Sequence, residues 1–257
     1  MDLGLSGKIA LVTGGSRGIG RSIALSLAGE GCALGLCARG AEQLEIALGE
    51  LRGLGARAFG CTADVKVAGQ VEDFVGRSAG ALGGVDILVA NVGGSAGGTL
   101  LESSDQDWRD TFEANLFHAV RAIRAAVPFM QERGGGSVAI VSSISGWKPG
   151  PKTQYGSAKA AEIFLAGGLA LELAEAKIRV NAVCPGSILF PGGGWERFRR
   201  DQPEQFARFE QRELPARRLG TPEEVAQVVS FLVSPRASWI NGAMIPVDGA
   251  QGRPGAF

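Results

Sequence analysis

Tyr155 and Lys159 stand four residues apart in Tyr155-Gly156-Ser157-Ala158-Lys159, where a helical pattern begins. That spacing puts both side chains on one face of a helix. An ammonium beside a phenol favours the phenolate, and such a phenol can give a proton to a carbonyl or take one from an alcohol. Upstream, the apolar run Val138-Ala139-Ile140-Val141 leads into Ser142-Ser143-Ile144-Ser145-Gly146. Hydroxyls at the carboxyl end of a parallel strand face the crevice where ligands bind. A serine there can orient a carbonyl and stabilise its developing charge. Ser142, Ser143 and Ser145 are the candidates. A Ser-His-Asp triad does not fit, because His118 is the single histidine and neither serine lies in a G-x-S-x-G turn.

A second cluster lies near the start of the chain. Ile9-Ala10-Leu11-Val12 reads as a buried strand and is followed by Thr13-Gly14-Gly15-Ser16-Arg17-Gly18-Ile19-Gly20. Between a strand and the helix it feeds, such glycines let backbone N–H groups close on a pyrophosphate. Gly14 permits the tight turn, Gly18 the close approach and Gly20 the packing of helix on strand. The second strand ends Cys37-Ala38-Arg39-Gly40, without the acid that accepts from a ribose 2′-hydroxyl. Arg39, with Arg17 in reach of the same group, suits a 2′-phosphate instead. The expected cofactor is therefore NADP(H) rather than NAD(H).

Short apolar runs alternate with segments of helical period, and these must position both clusters. Strands are expected at Ile9–Val12, Leu34–Cys37, Ala58–Ala63, Ile87–Ala90, Val138–Val141, Ile178–Val183 and Ala243–Val247. Helices are expected around Ile19, Ile23 and Leu27, around Leu44, Leu48 and Leu51, and over 67–81, 105–132, 153–175 and 222–233. Strands apolar on both faces belong to a sheet covered on both sides. The alternation predicts an α/β fold: a single-domain Rossmann arrangement over 1–257, with a doubly wound, parallel, seven-stranded sheet and helices on both faces. Pro246 suits an edge strand. The one stretch that reads as irregular is 188–220, with Pro191-Gly192-Gly193-Gly194 ahead of Trp195, Phe198, Phe206 and Phe209. It is expected to form a substrate lid at about 188–215, or else a subunit interface; Trp147 and Phe190 are further candidates for the substrate pocket.

Composition bounds the partners. Lys plus Arg and Asp plus Glu both number 26, so no net charge draws the chain to nucleic acid or an anionic membrane. Glycine, 40 of 257 residues, has no three-residue period, which excludes collagen and points to tight turns. No apolar run reaches a membrane-spanning length, and the first eight residues lack the features of a secretory leader. Cys32, Cys37, Cys61 and Cys184 form no C-x-x-C pair, so no metal site is expected, and a reducing cytoplasm is the expected location.

Taken in order, these motifs resemble the short-chain dehydrogenase/reductase family, in a 3-oxoacyl-ACP-reductase-like form, over residues 6 to about 250. The matching elements are the Thr13–Gly20 loop, Asp64-Val65, Asn91-Val92-Gly93-Gly94, Asn115, Ser143, Tyr155-x-x-x-Lys159, Asn181-x-x-x-Pro185-Gly186 and Asp248-Gly249. The resemblance implies hydride transfer between NADP(H) and a ketone or secondary alcohol. Tyr155 is then the acid/base, Lys159 the residue that tunes it and holds the nicotinamide ribose, Ser143 the carbonyl holder, and Asn115 the anchor of a proton-relay water. Asp64 and Val65 would meet the adenine. Asn91 and Gly93 would lie beside the cofactor, and Pro185, Gly186 and Ile188 along the nicotinamide. Homotetramers built through 105–132, 153–175 and the last strand are also implied. The chain departs from the pattern at Val92-Gly93, in a shorter Ser143–Tyr155 loop, at Phe190 where a threonine is usual, and at Asn241-Gly242. A hydrophobic ketone or 3-oxoacyl substrate is the leading expectation. A mainly oxidative alcohol dehydrogenase and a non-catalytic NADP-binding regulator are the alternatives.

Overall fold

In a computed structural model, which describes residues 2–150 and 152–252, the seven expected strands pair into one sheet. Met1, Pro151 and 253–257, which fall within the expected 1–257 domain, lie outside the described residues. The strands are β1 (Ile9–Thr13), β2 (Ala33–Ala38), β3 (Ala58–Thr62), β4 (Ile87–Ala90), β5 (Gly136–Val141), β6 (Ile178–Pro185) and β7 (Met244–Val247). Every pairing is parallel, in the order β3-β2-β1-β4-β5-β6-β7. β1, β2, β4 and most of β5 and β6 are buried along their length, as strands covered on both faces must be. β7 is an edge strand, so Pro246 leaves no ladder bond unmade.

The helices divide between the two faces. On one face α1 (Gly18–Gly29), α2 (Ala41–Gly53) and α9 (Pro222–Val233) bury Ile23, Leu27, Leu48, Val225 and Val229. On the other, α3 (Gln70–Leu82), α5 (His118–Glu132) and α6 (Thr153–Glu172) bury Val71, Phe74, Ile123, Ala126, Met130 and Ala166. This is a single-domain Rossmann fold. The strand order reverses between β1 and β4, and their carboxyl ends open a crevice there. None of the described helices is long and apolar enough to cross a membrane.

Two expectations need correction. The helix expected over 105–132 is not uniform: α4 (Asp105–Phe112) passes into a wider π turn at Glu113–Phe117 before α5 begins. A π turn adds one residue to a helical turn, which barely disturbs the apolar period and so escapes a pattern reading. The stretch 188–220 is not irregular: it contains α7 (Gly194–Asp201) and α8 (Pro203–Glu213). Their sequences are mostly charged, and in these two helices only Phe206 is buried. The apolar stripe that announces a helix is therefore nearly absent.

Candidate active site

At the reversal point the β1–α1 turn forms the floor of a cleft of about 620 Å³. Gly14 has φ +66°, the left-handed region open to glycine. A Cβ on Gly20 would collide with the carbonyl oxygen of Gly14 and come within 2.5 Å of Asn91 Nδ2. The first turn of α1 has no side-chain cap and no acidic residue. Its unpaired N–H groups and positive dipole end are therefore left to an anion. Asn91 fixes the turn from β4, its Nδ2 donating to the carbonyls of Thr13 (3.0 Å) and Gly14 (3.3 Å).

Gly14, Ser16, Arg17, Gly18, Ile19, Gly20, Arg39, Asp64, Val65, Asn91, Gly93, Ser143, Tyr155, Lys159, Pro185, Gly186, Ile188, Phe190 and Trp195 all line this cleft. Asn115 stands just behind Gly93. Trp147 and Phe198 are not among the lining residues. Phe198 packs edge-on against Trp195 and Phe206 in a small aromatic cluster, with ring centroids 6.0 and 5.8 Å away. Trp147 carries the Lys148 ammonium over its ring at 4.5 Å, and Lys148 pairs with Asp248 at 2.8 Å. The Phe190 ring lies on Gly18, where an added Cβ would meet it at 2.9 Å.

The reactive end is built from four elements. Tyr155 and Lys159 occupy successive turns of α6, and the Lys159 ammonium lies 5.8 Å from the centre of the Tyr155 ring. Gln154, buried beside Tyr155, donates to the carbonyls of Ala96 (2.8 Å) and Gly98 (3.1 Å), tying the start of α6 to the loop after β4. Ser142 and Ser143 are told apart by their partners. The buried Ser142 hydroxyl donates to the Lys159 carbonyl at 2.8 Å, pinning β5 to α6. Ser143 Oγ accepts from Ser145 N at 3.1 Å, which leaves its own proton available for an acceptor in the cleft. Asn115 sits in the π turn, fully buried, and its Nδ2 donates to the carbonyls of Gly94 and Thr111 at 2.6 Å each. A Cβ on Gly93 would lie 2.9 Å from Asn115 Oδ1 and 3.0 Å from Lys159 Nζ. The missing side chain at Gly93 is therefore what lets Asn115 and Lys159 converge.

Several cleft residues were not singled out in the sequence. Lys66 joins Arg17 and Arg39 around the ends of β2 and β3, giving three cations at that end. Ser95, Ala96, Asp110 and Ala114 line the opposite end. Glu162 lies below the cleft, 1% exposed, with both carboxylate oxygens on Lys159 Nζ at 3.1 and 2.9 Å. Only spacing could have found it, since Tyr155, Lys159 and Glu162 fall at i, i+4 and i+7 on one helical stripe.

Burial sets the ionisation of this end. It is the largest influence on Lys159 and opposes the charge there, but the Glu162 carboxylate, joined by Tyr155 and Cys184, holds the ammonium above its usual range. Burial pushes the Glu162 carboxyl up, against the pull of Lys159. His118, enclosed between α5 and β1 with Nε2 3.4 Å from Thr13 Oγ1, is driven down to about 3 by burial and then by Lys159. It is neutral at working pH and lies outside the cleft lining. Burial pushes the Cys184 thiol up to about 12, so it carries no charge beside Lys159.

Known proteins are similar in sequence and fold. The family model described as short chain dehydrogenase matches residues 8–194. The chain is 32% identical to the 7alpha-hydroxysteroid dehydrogenase of Escherichia coli K12, covering 96% of this chain and 95% of that protein. It is 36% identical to human dehydrogenase/reductase SDR family member 4, covering 95% and 87%. L-Sorbose reductase from Gluconobacter frateurii, solved with NADPH and L-sorbose, superposes with a TM-score of 0.93 at 34% identity, covering 99% of this chain and all of that one. A 7alpha-hydroxysteroid dehydrogenase solved with NADH and 7-oxo glycochenodeoxycholic acid gives 0.91 at 32%, covering 98% and 97%. With sequence, fold and cleft in agreement, the chain is an oxidoreductase of the short-chain dehydrogenase family.

Proposed function

We propose that this protein transfers a hydride between NADP(H) and a ketone or secondary alcohol, with Tyr155 as the general acid/base. The observation that carries the proposal is the convergence of Tyr155, Lys159, Ser143 and Asn115 at one end of a cleft whose other end is a glycine-lined helix N-terminus. That N-terminus and the Gly14, Gly18 and Gly20 backbone fit a dinucleotide pyrophosphate. Arg17, Arg39 and Lys66 at the ends of β2 and β3 suit a 2′-phosphate. Asp64 and Val65 would lie along the adenine, and Pro185, Gly186 and Ile188 along the nicotinamide. When bound, the nicotinamide supplies the hydride. The chain's own residues do the rest. Ser143 donates a hydrogen bond to the substrate oxygen and holds its developing charge. Tyr155 Oη protonates that oxygen in reduction and deprotonates it in oxidation. Lys159 stabilises the phenolate and would hold the ribose hydroxyls. Asn115, its amide N–H groups fixed on Gly94 and Thr111, offers Oδ1 to a water that resupplies the proton.

The segment 188–215 is read as the substrate lid, with Phe190 and Trp195 forming the apolar part of the pocket. A hydrophobic ketone or 3-oxoacyl substrate follows from those two rings. The exposed Phe164 and Leu171 on α6, each 83% accessible, offer an apolar face for further copies and support a homotetramer. The test is Tyr155→Phe: turnover of NADPH with a ketone panel should fall by about a thousandfold, while NADPH binding, followed by nicotinamide fluorescence, stays within about twofold. Near wild-type turnover in that variant would overturn the assignment.

A further inference from the structure

A carboxylate sealed beside the lysine of a tyrosine–lysine pair needs an explanation. Glu162 and Lys159 are each 1% exposed. The Lys159 ammonium has three N–H groups, and its protein partners are the Val141 carbonyl at 3.0 Å and the two Glu162 oxygens at 3.1 and 2.9 Å. Burying an ion pair does not by itself favour folding, and a well-packed apolar residue often serves stability as well or better. What Glu162 does provide is a fixed position and an opposite charge for the Lys159 ammonium packed against the Tyr155 ring.

We propose that Glu162 is a positioning residue for the acid/base pair: its carboxylate holds Lys159 Nζ in place and protonated, so that Tyr155 ionises beside a full positive charge. This deepens the proposed function and rests on the reading of Tyr155 and Lys159 given there. The surroundings leave the task to Glu162. From β6 the Cys184 thiol is neutral, pushed up to about 12, and from α5 His118 is neutral, brought down to about 3. Val141 of β5 gives only a carbonyl, and Ser142 just after it a hydroxyl that is bound to the Lys159 carbonyl and also favours the Glu162 carboxylate. From α4, Asp110 lies on the cleft wall and pairs with Gln106 at 3.0 Å. With Glu162 neutral, Lys159 is an uncompensated charge in a dry pocket, which responds by releasing its proton. Tyr155 then faces a neutral amine.

The composition supplies a clean readout, because Tyr155 is the only tyrosine in the chain. Its ionisation can be followed in the free protein by the ultraviolet absorbance of tyrosinate, with no substrate or cofactor present. Glu162→Gln, which keeps the size and one accepting oxygen but removes the charge, should move the midpoint up by about one pH unit. Lys159→Ala should move it up at least as far, and adding Glu162→Gln to Lys159→Ala should change it little. If Glu162→Gln does not fold, Glu162→Asp keeps the charge but withdraws it from Nζ and should give a smaller upward shift. An unchanged or lowered midpoint in the Glu162 variants, with Lys159→Ala raising it, overturns the inference and leaves the proposed function standing. No shift in Lys159→Ala overturns the coupling of Lys159 to Tyr155 on which both rest.

Discussion

The two walls of the cleft are built by different means. One is formed by the ends of β1, β4 and β5 and the start of α6, with Asn91, Gln154 and Ser142 bonding one element to the next. It stands on the two apolar layers that sandwich the sheet. The other, 188–220, touches the main core only through Ile188 and Phe190; the rest stands on a small cluster in which Phe206, Leu214 and Leu219 are buried and Leu189, Trp195, Phe198 and Phe209 only partly so. Catalytic atoms must be held to fractions of an ångström, and those proposed above, on Tyr155, Lys159, Ser143 and Asn115, lie on or behind the first wall. A lid must open and close, and low local stability serves that. In the proposed function the chemistry is thus tied to the core, while the choice of substrate is left to a flap with its own small cluster.

This contrast can be broken or sharpened by substitution. The larger effect is expected at the cofactor end, where Arg39 follows β2 beside the first wall. Arg39→Asp puts a carboxylate where a 2′-phosphate would sit. The ratio of kcat/KM for NADPH over NADH should fall by about tenfold to a hundredfold, the worth of one or two charged hydrogen bonds. An unchanged ratio would remove Arg39 from the site. A smaller effect is expected on the flap. Phe206→Ala deletes the most enclosed ring of its cluster, whose centroid lies 5.8 Å from Phe198 and 6.2 Å from Phe209. kcat/KM for the ketone should fall by about tenfold, proteolysis within 188–220 should quicken, and NADPH affinity should hold. Loss of NADPH binding together with global unfolding would show that the flap is an integral part of the core.

The same contrast explains what could be read in the sequence. The strands were legible because residues such as Ile87–Ala90 are apolar on both faces, which only a covered sheet tolerates. The Thr13–Gly20 turn and the Tyr155/Lys159 pair were legible because local spacing alone encodes them. The π turn at Glu113–Phe117 was not, since one extra residue leaves Thr111, Asn115 and His118 all facing inward. The helices α7 and α8 were not, because their stability lies in a few aromatic contacts rather than an apolar stripe. Lys66 was missed because it reaches the cleft through the pairing of β3 with β2, which no local pattern records. Glu162 was missed because an acid on a helix is ordinarily a solvated one.

The central claim is that a hydride passes between a nicotinamide held along this cleft and a carbonyl carbon facing Tyr155. It is tested most directly with NADPH deuterated at nicotinamide C4, offered with a panel holding both polyhydroxy and apolar ketones. Mass spectrometry of the products should find a single deuterium on the former carbonyl carbon of at least one alcohol. Deuterium that stays in the nucleotide, or is lost to water with no labelled alcohol formed, would contradict the account.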